Sequence, residues 1–344
     1  MSAMLLIGID EAGYGPVLGP LCHGYSAIRC PDAKPPHPPD LWELLHPSVM
    51  RFPGVDGSVV VDDSKIVHGA PDGKELLRRG VLAFLECCNE NPLCLDADVY
   101  ALILPDHDRA RLEEDAWCAA LCAALESQES PEIPESPKPQ RSSRKISSRK
   151  KPAKPIPAVR ESLARQQMSV VALGARGLSA RHFNAAMANC KNKADVNWSV
   201  IAEQLSKLLA HALPGEHVHV VIDRQGGRKF YAEKIGELFP GAMVWVEQES
   251  DAASVYGLDW DGRTLRIAFK VDADGQSLPV ALGSMAAKLA REICMKRLNQ
   301  YFQSHDPELR PTAGYYADGN RFLKDTRGLR KKLGIHDHVF IRVK

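Results

Sequence analysis

From Leu5 to Ile9 the chain is an unbroken apolar run that ends at two adjacent acids, Asp10 and Glu11. It then turns through Gly13-Tyr14-Gly15, with Gly19 close behind. A short apolar run bounded by turn residues reads as a buried strand. Two carboxylates at the end of a buried strand are expensive to keep ionised without a positive partner. A hard divalent cation is a natural one, because it takes carboxylate oxygens. A phosphate cradle fits less well. The spacing is Gly-x-Gly-x-x-x-Gly rather than the dinucleotide fingerprint, Pro16 stands where a helix should open, and the two acids would repel a bare phosphate. The bland alternative is a strand, a capped turn and surface acids.

Two further segments repeat the theme. His217–Ile222 reads as a buried strand ending at Asp223, and Thr264–Val271 as a strand followed by Asp272 and Asp274. Acids at three strand ends converge on one small volume if the strands are neighbours, since α/β sheets place their sites at strand ends. Mutual repulsion then raises their pKa values and favours cations among them. The expectation is a site for two divalent metals, Mg²⁺ or Mn²⁺, suited to in-line displacement at phosphorus. Each acid taken alone is as readily a turn or cap residue.

Elsewhere the pattern is also α/β. Strands are expected at Leu21–Cys30, Val59–Val61, Val99–Leu104 and Val170–Leu173. Helices are expected over Glu75–Glu90, Glu113–Glu126, Ala194–Ala212, Lys229–Leu238 and Ser284–Phe302. Between residues 127 and 160 the chain is Ser, Pro, Glu, Lys and Arg with almost no large apolar residue. Such a stretch buries too little to offset its ordering entropy, so a disordered insertion is expected, either a plain linker or a basic arm along phosphates. It divides one domain into an N-terminal part, 1–126, and a C-terminal part, 161–344, with a helical C-terminal extension.

At 344 residues and 44% hydrophobic content the chain can bury a real core. The net charge of +1 leaves any basic surface local. Nine cysteines without a Cys-x-x-Cys pair argue against zinc and for free thiols in a reducing cytoplasm. The apolar start is too short for an export signal and lacks a basic flank, and no run approaches the ~18 apolar residues of a membrane span. A cytoplasmic, monomeric protein is expected. His217 and His219 share a strand face but read as satisfied or exposed side chains rather than ligands, as do His336 and His338. No nucleophile elbow or Ser-His-Asp order supports acyl transfer.

The opening motif resembles that of the type 2 ribonucleases H (HII and HIII), whose first strand ends in Asp-Glu-Ala-Gly-Arg-Gly-Pro. The resemblance runs on in order through Asp63-Ser64-Lys65, Asp223 after Val-Val-Ile, Asp274, the Gly283-Ser284-Met285-Ala286-Ala287-Lys288 helix and Gly314-Tyr315. Counting back from Lys288 places the family's last acid on Asp274 without a gap, whereas Asp272 needs two extra residues. The resemblance implies a ribonuclease H-like mixed five-stranded sheet flanked by helices. It implies an endonuclease cutting RNA in RNA–DNA hybrids, or at ribonucleotides embedded in duplex DNA, leaving a 5′-phosphate and a 3′-hydroxyl. Asp10, Glu11, Asp223 and Asp274 are then the catalytic and metal-holding acids. Gly13, Tyr14 and Gly15 face the 2′-hydroxyl, Ser64, Lys65 and Lys288 hold phosphates, and Tyr315 packs against the sugar.

The departures are Tyr14 in place of the family's cation, Tyr316-Ala317-Asp318 where Thr and His usually follow, and Gly283 and Met285 in the helix motif. They keep two rivals open: a catalytically weakened nucleic-acid-binding relative, and a DNA-directed nuclease of the same superfamily. Lys288 and Arg291, one helical turn apart, share a face that either meets phosphates or is simply wet.

Overall fold

A computed structural model describes residues 3–343 apart from 32, 34–36, 89–98, 120–155 and 191. Nearly all of the expected insertion lies outside the described residues, and the chain resumes in a helix at Ile156–Arg165, before the expected limit at 160. Seven strands form one mixed sheet: β1 (Met4–Ala12), β2 (Leu21–Cys30), β5 (Ser169–Leu178), β6 (His217–Asp223), β7 (Met243–Glu249), β8 (Ala253–Trp260) and β9 (Arg263–Lys270). Their order is β5-β2-β1-β6-β9-β8-β7, and two-residue strands β3 (Val49–Met50) and β4 (Val59–Val60) pair separately. β1, β6 and β9 run parallel, while β1-β2-β5 and β9-β8-β7 are antiparallel.

The sheet is therefore α/β and mixed as expected, but it has seven strands rather than five. The additional pair, β7 and β8, is an edge meander whose signal is the turn Asp261-Gly262 between β8 and β9. Both turn residues have positive φ, 50° and 69°, as a two-residue hairpin requires. A second correction concerns Val99–Leu104, which forms a short helix, Val99–Ile103, rather than a strand. Tyr100 explains it: the ring is buried beneath the Arg297 guanidinium, 3.6 Å from its centroid, so packing overrides the β-branched composition. The expected helix at Glu113–Glu126 is seen over residues 116–119, residues 120–126 lying outside the described residues, and a separate short helix, Asp106–Glu113, precedes it.

β1 is buried on both faces, and its alternation sorts the core. Met4 and Leu6 join a cluster with the long helix Leu278–His305 and with Gly73–Cys88, whereas Leu5, Ile7 and Ile9 join one with Lys193–Leu209. The long helix lies against the backbone of β1 and β2. A Cβ at Gly8 would fall 2.1 Å from the Pro279 carbonyl carbon, and one at Gly24 would fall 1.8 Å from the Gly283 oxygen. Only glycine permits that approach, and the approach carries Ser284 and Lys288 to the end of β1.

Among the described residues no helix is long and apolar enough to cross a membrane.

Candidate active site

Register places the acids. Ile9 pairs with Ile222 across the parallel β1–β6 ladder, and Asp223 pairs with Lys270 across β6–β9. Asp10 and Asp223 thus end adjacent parallel strands on the same side, and Asp272 and Asp274 follow immediately after β9. All four predicted acids line one cleft of about 250 Å³, together with Asp272, Gly13, Tyr14, Gly15, Ser64, Lys65, Lys288 and Tyr315. Every residue named from the sequence as a catalytic, metal-holding or substrate-binding candidate lines this cleft.

The acids repel one another in a poorly hydrated place. Burial, then the charges of Glu11 and Asp223, hold the Asp10 carboxyl well above its ordinary range, with the Ser284 hydroxyl pulling the other way. Burial and then Asp223 push Glu11 up to about 7. Burial raises Asp223 to about 6; its bond from the Ala273 N–H (2.9 Å) opposes the shift and Asp274 adds to it. Asp274 is raised by burial and then by Asp63. Asp274 is the buried member of its pair, while Asp272 sits exposed on the turn at φ 50°.

Each carboxylate rests on backbone. Asp10 accepts from the Glu11 N–H at 2.6 Å and Asp274 from the Gly275 N–H at 2.9 Å. Glu11 Oε2 is buried with no partner. Among the described residues, no three acidic, histidine or cysteine side chains stand close enough as they lie to grip one cation. The donor set still suits a hard divalent ion, being all carboxylate oxygens with one oxygen orphaned and all four charges disfavoured.

The strand's alternation also decides what stands behind each acid. Asp10 shares a face with Ser284, whose hydroxyl donates to that of Ser64 at 2.9 Å. Ser64 is accordingly buried, and it ties the Asp63-Ser64-Lys65 turn to the long helix. Asp63 caps the helix Ser64–Gly69 by accepting from the Lys65 N–H at 2.7 Å. The Lys65 ammonium is exposed. Partial burial works against its charge, but Asp63, Asp274, Asp10 and Asp223 outweigh it and raise its pKa. Glu11 faces the helix Lys193–Leu209, where Asn197 favours its charged form. Asn197 Oδ1 in turn accepts from Nε2 of His23, a fully buried ring that burial pushes down to about 4 and so keeps neutral. Nothing local in the sequence marks this Asn197–His23 pair, whose members lie 174 positions apart.

On the other side of the cleft, Gly13 has φ 91° and no room for a side chain, with Arg291 Cδ and the Pro20 oxygen each 2.9 Å from where a Cβ would fall. A Cβ at Gly15 would meet only open space. Tyr14 leans on a small cluster containing Leu21, Phe183 and Val196. Tyr315 is 53% exposed at the cleft's edge, and Lys288 pairs with Glu292 at 3.1 Å.

Arg291 lines the same cleft as Lys288 but corrects the expectation of a simply wet face. It is buried and donates to the carbonyls of Pro20 (2.6 Å), Leu18 (3.2 Å) and Ala313 (3.1 Å). The long helix is enclosed over most of its length, so the turn after Lys288 points into the protein. His219 is buried, and burial followed by Arg266 and Lys270 pushes it down to about 4, as a neutral core histidine.

No family model matches the chain, and no curated protein does. Among solved structures it is similar to the RNase HII of Archaeoglobus fulgidus in a PCNA:RNase HII complex. The identity is 15%, covering 99% of this chain and 94% of that one, with a TM-score of 0.41. It is similar to ribonuclease H2 from Pyrococcus horikoshii OT3 at 13% identity, 98% and 92% coverage and TM-score 0.37. It is similar to Bst-RNase HIII in complex with Mn²⁺ at 12% identity, 99% and 66% coverage and TM-score 0.38. Likeness this loose carries no function over.

Proposed function

We propose that this chain is a divergent type 2 ribonuclease H, a metal-dependent endoribonuclease. Its substrate is RNA in RNA–DNA hybrids or ribonucleotides embedded in duplex DNA, and its products carry a 5′-phosphate and a 3′-hydroxyl. The observation that supports this most is the meeting of Asp10, Glu11, Asp223 and Asp274 in one cleft with the Gly13–Gly15 loop, Lys65, Lys288 and Tyr315. The four acids would hold two divalent ions, Mg²⁺ or Mn²⁺. Bound there, the pair supplies Lewis acidity for displacement at phosphorus.

The chain's own residues account for the rest. Lys65, held charged by the acids around it, takes a phosphate oxygen as a point charge. Lys288 exchanges Glu292 for a second phosphate. Gly13–Gly15 present backbone to the 2′-hydroxyl, the group by which a protein tells RNA from DNA, and the open space at Gly15 suits that approach. Tyr315 lies against the ribose. The protein acts as a cytoplasmic monomer on nucleic acid.

A second reading, a relative that binds without cutting efficiently, is favoured by two observations: the acids do not stand as a ready-made cage, and Tyr14 replaces a cation. One panel separates the readings. Wild type and Asp10→Asn are incubated with an RNA–DNA hybrid, a single-ribonucleotide duplex and an all-DNA duplex, with Mg²⁺ and with Mn²⁺. Cleavage of the first two by wild type alone supports the enzyme. Binding without metal-dependent product supports the binder. Cleavage of the all-DNA duplex supports a DNA-directed nuclease.

A further inference from the structure

The loop between β1 and β2, residues 13–20, is held from behind by two buried arginines from distant parts of the chain. Arg291 takes the Leu18 and Pro20 carbonyls. Arg342, 3% exposed, donates from Nη2 to the carbonyls of Gly13 and Pro16 and from its backbone N–H to Val17 O at 2.9 Å. Its guanidinium lies 5.4 Å from the Phe183 ring centroid, and its Nε and Nη1 are buried without partners. A cation buried with two donors unmet is costly, so its place needs a return. Asn184 fixes that place. Its Nδ2 donates to the His338 and Ile341 carbonyls, both at 2.7 Å, and its Oδ1 accepts from the Val343 N–H at 2.9 Å.

The Gly13 carbonyl belongs to the same planar trans peptide as the Tyr14 N–H, and the two point in opposite directions. Drawing that carbonyl toward Arg342 therefore turns the Tyr14 N–H away from Arg342, and Gly13, Tyr14 and Gly15 all line the cleft. Gly13 at φ 91° is the residue that lets the chain turn this way.

We infer that Arg342 is the positioning residue for ribose recognition: it sets the Gly13–Tyr14 peptide so that the Tyr14 N–H donates to the 2′-hydroxyl at the cut. This rests on the ribonuclease reading above. A residue outside the cleft lining and 329 positions from Gly13 then governs the distinction between ribo- and deoxyribonucleotide.

The test is equilibrium binding by fluorescence anisotropy, in EDTA so that nothing is cut. It compares a duplex carrying one ribonucleotide with the same duplex in all-DNA form, for wild type, R342M, R342K and N184A. Repulsion of phosphate by the metal-free acids is common to both duplexes and cancels in their ratio. Wild type should prefer the ribonucleotide duplex. R342M should lower that preference roughly tenfold, about the worth of one well-placed hydrogen bond, while leaving all-DNA affinity unchanged. N184A, which loosens the segment without touching the loop, should lower the preference in part. R342K, which keeps a donor, should fall between wild type and R342M, and should regain preference more than a merely space-filling role allows. If R342M does not fold by circular dichroism, R342K and N184A carry the test. A wild type with no ribose preference overturns the ribonuclease reading itself. A preference that survives unchanged in the folded variants overturns only the role given to Arg342.

Discussion

On one side of the cleft the carboxylates of Asp10, Glu11, Asp223 and Asp274 push against one another with Glu11 Oε2 unmet. On the other, the β1–β2 loop has the carbonyls of Gly13, Pro16, Val17, Leu18 and Pro20 accepting from two arginines. The first wall is electrostatically frustrated and the second is heavily tied down. Under the proposed function, the first wall takes the ions and the second positions the substrate. The contrast also predicts that mutations in the two walls move stability in opposite directions.

The largest effect should come from Asp10→Asn. Cleavage falls about 10³-fold or more, some 4 kcal/mol of transition-state stabilisation. The metal-free protein should nevertheless melt at a higher temperature than wild type, because a repelling charge has gone. Single-turnover kinetics and a denaturant titration in EDTA check both halves, and loss of stability would refute the frustrated wall. Arg291→Met should do the reverse. Stranding three carbonyls should cost about 3 kcal/mol of folding stability, read in the same titration.

Acidity offers a third way to test the contrast. Glu11 and Asp223 titrate from ordinary values of 4.5 and 3.8 up to about 7 and about 6 in the fold. Below about pH 3 these groups are protonated whether folded or unfolded and exact no penalty. As pH rises the unfolded chain ionises first, so they destabilise the fold progressively, and fully above about pH 7, by a few kcal/mol. Mg²⁺ should therefore raise the melting temperature much more at pH 8 than at pH 5, and an equal rise at both would count against cations among these acids. The smallest pair of effects lies within the loop. Gly13→Ala should lose about 1–2 kcal/mol of stability to its positive φ and contacts. Gly15→Ala should leave stability within about 0.5 kcal/mol while raising KM for ribonucleotide duplex.

The strand-end acids were legible because each sits at the end of an apolar run, where period and chemistry coincide. The gapless count from Lys288 fell on Asp274, the buried one of two candidates. The β7–β8 pair was missed because β7 is almost wholly exposed and carries no buried alternation, although Asp261-Gly262 marked the turn after it. Arg291, Arg342 and the Asn197–His23 pair were illegible for another reason. Each acts on a residue more than 150 positions away, and no local pattern distinguishes a buried arginine from a surface one.

The bond from Arg342 to the Gly13 carbonyl joins the second and the last described strand-free segments of a chain whose sheet is otherwise complete by Lys270. Synthesis proceeds from the N-terminus, and domains gather as they emerge. The scaffold can thus assemble while the Gly13–Pro16 part of the β1–β2 loop is still unbraced, and the arrival of residue 342 ties it down. The order in which the polypeptide is made leaves this loop unbraced until the segment around residue 342, far along the chain from residue 13, has been added.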